Sequence, residues 1–144
     1  MYRRILVPVD DAETMDVIMH EVFQMCEENK NRVITLFHVL RPVNSLGVGT
    51  GYVVNSSDVQ ADLEQEGYQI LEQARKRLFT VGVEPKLVLK WGDPAHEISQ
   101  YAEHEKIDLI VVGNKDKGLL EKLLSSSVSQ KVVQEASTHV LVVK

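Results

Sequence analysis

Cysteine is nearly missing from this chain: Cys26 is the single one among 144 residues. An intrachain disulfide and a cysteine-built metal cluster are therefore excluded. Long apolar runs are missing too. No stretch reaches the length of a membrane span, and MYRRILVPVDD has no signal-peptide apolar core ahead of its acids. A cytoplasmic protein is the expectation. There is no basic excess, since the net charge is −5, which argues against nucleic acid as the main partner. What remains is a chain with 44% hydrophobic and 26% charged residues, ordinary for one globular domain spanning 1–144 with a sizeable core.

Catalytic and metal signatures are equally sparse. His20, His38, His96, His104 and His139 are dispersed with no i, i+4 pair, so each reads as a surface or half-buried polar residue rather than a ligand. No Ser-His-Asp or Cys-His arrangement can be read from spacing. Gly113 and Gly118 fit the glycines of a P-loop, but Leu119 and Leu120 stand where Lys and Ser/Thr are required. Gly47, Gly49 and Gly51 alternate without completing a dinucleotide fingerprint. They lie in the one long irregular stretch, Arg41–Ser57, which suits a lid or a partner-ordered loop.

The chain itself alternates. Strands are predicted at Arg3–Val9, Arg32–Leu40, Glu84–Trp91, Ile107–Val112 and Thr138–Val143, from their apolar, β-branched content. Helical spacing predicts a first helix with Met15, Ile18, Val22, Met25 and Cys26 inward, Cys26 being a packed core residue. A second helix begins at Asp58 and buries Val59, Leu63, Ile70, Leu71, Ala74 and Leu78. Gly92-Asp93-Pro94 is a turn into a third helix, with Asp93 as cap, Pro94 in the first position, and Ile98 and Ala102 inward. Ser125, Ser126 and Ser127 precede a fourth pattern, Val128, Val132, Ala136. Serines there can cap the helix and leave N–H groups for an anion.

Five strands alternating with four helices predict an α/β fold, a single doubly wound parallel sheet with right-handed crossovers and helices on both faces. Ligands of such sheets bind past the carboxyl ends of the strands, where strand order reverses. Asp10 at the first strand's tip and Gly113 at the fourth's are the candidates. Acids after a strand also favour the start of a helix, so Asp10 is weighed equally as a cap, and Asp11 reads as a cap.

ILVPVDD, FHVL, WGDPAHEI, DLIVVG, LLSSSVSQKVV and HVLVVK, in that order over the whole chain, resemble the universal stress protein family. The resemblance implies an α/β sandwich with strand order 3-2-1-4-5, a homodimer, and a subclass with or without bound ATP. The ATP-binding pattern is Gly, two residues, Gly, nine residues, Gly, then Ser or Thr. Gly113 fits its first position and Ser127 its hydroxyl, followed by Val128 and Ser129. Asp116 and Ser126 replace the other two glycines. Ser126 is a mild change. Asp116 puts a carboxylate where phosphates would sit, flanked by Lys115 and Lys117, which offset its charge. By the same resemblance Asp10 accepts hydrogen bonds from a ribose, Pro8 and Val9 shape the adenine side, and Val39 lines the base. Asp11 and Ala12 depart from the Gly-Ser often found there.

Three functions compete. The first is a dimeric stress-response protein, not an enzyme in the ordinary sense, binding an adenine nucleotide (ATP, ADP or AMP) through a weakened phosphate motif. The second is the same fold with no nucleotide, acting through protein contacts. The third, a phosphoacceptor receiver domain, would need an aspartate at the third strand's tip and a helix after the last strand. Asp93 sits in a turn-and-cap context, and Lys144 follows the last strand directly. In order 3-2-1-4-5 the apolar last strand, Thr138–Val143, lies at a sheet edge, where pairing with its own copy would form a homodimer.

Overall fold

The computed structural model describes residues 1–10, 12–42, 57–113 and 136–143. Its elements are β1 (Arg4–Pro8), α1 (Ala12–Glu28), β2 (Val33–Leu40), α2 (Ser57–Phe79), β3 (Lys86–Trp91), α3 (Pro94–His104), β4 (Leu109–Gly113) and β5 (His139–Val143). The strands form one parallel sheet in the order β3-β2-β1-β4-β5, so β1 lies in the middle. The expected order 3-2-1-4-5 is observed.

Alternation along β1 sorts its side chains between two cores. Ile5, Val7 and Val9 join Met15, Ile18, Met19 and Val22 of α1 and Leu71, Ala74 and Leu78 of α2. Leu6 points the other way and packs with Phe37 of β2 and Ala95, Ile98 and Ala102 of α3. The sheet is thus covered on both faces. The expected fourth helix falls largely on residues outside the described set. Ala136, at its end, packs against the α3-side core.

Several strand starts move from their predicted positions, each for a local reason. β3 begins at Lys86 instead of Glu84, because Pro85 has no N–H to enter the ladder. β4 begins at Leu109 instead of Ile107. Asp108 is turned outward there, and its carboxylate accepts the backbone N–H groups of Arg4 at 2.7 Å and Arg3 at 3.0 Å. Those two bonds hold the Asp108 carboxyl below its ordinary range, against a small opposing effect of burial. The helix start at Asp93-Pro94 is as predicted, with the Asp93 carboxylate accepting from the His96 amide at 3.1 Å.

Two glycines shape α2. Gly82, at φ +79°, ends it: the Val83 N–H reaches the Leu78 carbonyl and the Gly82 N–H that of Phe79, the paired bonds of a Schellman turn. Gly67 is buried in mid-helix, where glycine would ordinarily be unfavourable. A Cβ there would stand 2.8 Å from Leu89 Cδ1 and 3.2 Å from His38 Cδ2, so the missing side chain lets α2 sit down on the sheet. Gly67→Val should therefore lower stability by about 1–3 kcal/mol, the scale of overpacking, in denaturant unfolding. Asp108→Ala should cost about 1 kcal/mol at neutral pH, a modest figure because the carboxylate is exposed. A lowered folded-state pKa means this contribution is present above the ordinary aspartate range and lost as pH falls through it. The stability gap between wild type and Asp108→Ala should accordingly close on acidification.

Candidate functional site

The carboxyl ends of β1 and β2 meet the start of α3 around a cavity of about 140 Å³. β1 brings Pro8, and the chain just beyond it brings Val9 and Asp10. β2 brings Phe37, His38 and Val39, with Arg41 past its end, and α3 brings Pro94 and Ile98. The pleat explains this selection. Phe37 and Val39 share the α3-facing side of β2, so they form a wall opposite Ile98. Tyr101 of α3 stacks on Phe37 at 5.0 Å and 50°. Burial, reinforced by the charge of Glu105, pushes the Tyr101 phenol up, so the group behind that wall stays neutral. At the mouth, half-buried Asp10 and exposed Arg41 carry opposite charges.

His38 departs from the sequence expectation of a surface or half-buried histidine. It is 7% exposed, and its Nδ1–H donates to the Val9 carbonyl at 2.6 Å. A carbonyl can only accept, which assigns the proton to Nδ1. The acceptor within reach is what makes burial of this polar ring tolerable. The Val9 N–H donates to the Phe37 carbonyl at 2.8 Å. Both backbone groups of Val9 are therefore tied to β2, one residue before Asp10. The other four histidines are exposed, as expected.

Of the residues singled out in the sequence, Pro8, Val9, Asp10 and Val39 converge on this cavity. Gly113 ends β4, beside β1 in the sheet and at the same edge, but is not among the described residues lining the cavity. Lys115, Asp116, Ser126, Ser127, Val128 and Ser129 lie outside the described residues. Sequence reasoning missed Phe37, His38, Arg41, Pro94 and Ile98 as lining residues. Period-two alternation from Val39 would have found Phe37, and the Asp93-Pro94 cap already placed the start of α3 at this edge. Cys26, on α1, is 5% exposed, and burial pushes its thiol up against the opposing pull of Arg32, as suits a core residue.

Among the described residues no cluster of His, Cys, Asp or Glu could hold a metal ion, and no helix is long and apolar enough to cross a membrane. The lining combines apolar walls with a few polar groups, the composition usual for ligand pockets. Pockets for drug-sized ligands run to about 300–1,000 Å³, and the described residues enclose about 140 Å³.

The model of the universal stress protein family matches residues 1–144. The universal stress protein MJ0577 of Methanocaldococcus jannaschii is 30% identical, covering all of this chain and 96% of its own length. Its solved structure superposes with a TM-score of 0.79 over 100% of this chain and 96% of that one. A universal stress protein of Methanothermobacter thermautotrophicus is 36% identical over all of this chain and 97% of its own. The universal stress protein of Archaeoglobus fulgidus in complex with dAMP shares the fold, with a TM-score of 0.68 at 18% identity over 99% of this chain and 98% of that one. With the sheet order, the two-sided core and the tip of β1 all in place, this chain belongs to the universal stress protein family.

Proposed function

We propose that this protein is a cytoplasmic, dimeric stress-response protein that binds an adenine nucleotide at the carboxyl edge of its sheet. The observation that carries the reading is the convergence of Pro8, Val9, Asp10 and Val39 on one cavity at the tip of β1. Phe37, Val39 and Ile98 offer apolar walls to a purine, and Asp10 offers acceptors to ribose hydroxyls. The phosphates then run toward Gly113 and the serines Ser126, Ser127 and Ser129, with Lys115 nearby in sequence. The dAMP complex of the Archaeoglobus relative supports a nucleotide ligand for this fold.

Asp116 favours the second reading, a pocket that holds no nucleotide while the protein acts through protein contacts. Titration calorimetry with adenosine and ATP decides between them. Wild type should bind both, and Asp116→Gly should tighten ATP by about 1–2 kcal/mol more than adenosine, the scale of a partly screened charge contact. Equal gains for both ligands would remove the phosphate-specific role of Asp116. No heat at millimolar nucleotide with either protein would leave the protein-contact reading.

The dimer reading rests on how the two sheet edges differ. β3 carries Lys86 and Lys90, exposed charges that blunt an edge. β5 is HVLVV, pairs among the described residues only with β4, and leaves Val142 41% exposed. Two copies of β5 joined across a two-fold axis would run antiparallel and satisfy each other's free backbone groups. Val142→Lys, which gives β5 the same kind of charge as β3, should shift wild-type dimer to monomer in sedimentation. A variant dimer of undiminished affinity would place the interface elsewhere.

A further inference from the structure

We infer that His38 is a positioning residue for this pocket: its imidazole clamps the Val9 carbonyl and thereby sets where the Asp10 carboxylate stands. Three elements meet at this ring. β2 carries it, the segment just after β1 supplies the acceptor at 2.6 Å, and α2 fences it from behind. That fence is Gly67, where a Cβ would come within 3.2 Å of His38 Cδ2. The ring therefore has little room to swing away from Val9. The clamp falls where the sheet ceases to hold the chain, since the β1–β2 ladder ends at Pro8↔Phe37. Beyond that pair, the Val9 N–H to Phe37 carbonyl bond and the His38 bond to the Val9 carbonyl both tie Val9 to β2. The next residue is Asp10, on the cavity lining.

A histidine that merely filled the core would stabilise the whole sheet evenly. A clamp acts locally, on Val9 and Asp10. The identity of the ligand rests on the nucleotide reading above, whereas the clamp itself does not.

The test compares His38→Leu, which removes the donor, with His38→Asn, whose side-chain amide nitrogen branches from Cγ as Nδ1 does and keeps the donor. In the ligand-free protein, His38→Leu should speed amide hydrogen exchange at Val9 and Asp10 by about tenfold or more, leaving Ile5 to Val7 unchanged. His38→Asn should restore most of that protection. In calorimetry, His38→Leu should weaken adenosine by about tenfold and leave adenine nearly unaffected, because only the sugar reaches Asp10. Even loss of protection along β1, unchanged exchange at Val9 and Asp10, or His38→Asn matching His38→Leu would each overturn the inference. Wild type that binds neither adenosine nor adenine would defeat the nucleotide reading alone, and the exchange arm still decides the clamp. Should His38→Leu fail to fold, His38→Phe, a flat ring without a donor, takes its place, and the same local rise in exchange is required of it.

Discussion

β1 is hydrogen-bonded along both sides and buried on both faces, and the rest of the molecule is the means of keeping it so. Ile5, Leu6 and Val7 are all fully buried. Parallel strands of this kind need cover above and below, which obliges the chain to make helices between them. α1 and α2 cover one face and α3 the other. Only the ends of β1 are left to interact with anything else. Its amino end is held by Asp108, and its carboxyl end is where the cavity opens.

The two ends are secured by different chemistry. At the amino end an exposed carboxylate gathers two backbone N–H groups. Water competes there, so the gain is modest. At the carboxyl end a buried imidazole donates to one carbonyl. With water excluded, leaving that carbonyl unpaired costs more than the bond itself gains. The cavity opens to solvent at this end, and the buried fastening sits beside it.

Much of the fold was legible in the sequence because its signals are local. The apolar strands, the helical spacing of Met15, Ile18 and Val22, and the Asp93-Pro94 helix start all depend on near neighbours in the chain. Gly67 was not legible, because what matters is Leu89 and His38 on two other elements. Met19 escaped the predicted helix face although it is fully buried. His38 reads as polar until its acceptor, Val9, is known to lie beside it. The strand starts at Lys86 and Leu109 were misplaced because Pro85 and Asp108 interrupt apolar stretches that look continuous. Of the site, Pro8, Val9, Asp10 and Val39 were named beforehand from the family resemblance, while Phe37, His38 and Arg41 were not. The α3 wall could not, since its role depends on which face of the sheet that helix covers.

The central position of β1 also bears on how the molecule is made. Its partner β2 follows soon after it, but its other partner pairs Ile5 with Leu109, across most of the chain. During synthesis β1 is made before β4 and waits, its β4 side unpaired, until the chain between Ile5 and Leu109 has been made. Such distant pairings slow folding, and waiting apolar strands are open to wrong partners. The nascent chain therefore has a long interval in which β1, β2 and the first helices form an incomplete sheet, a period when chaperone binding to β1 would have the greatest effect on yield.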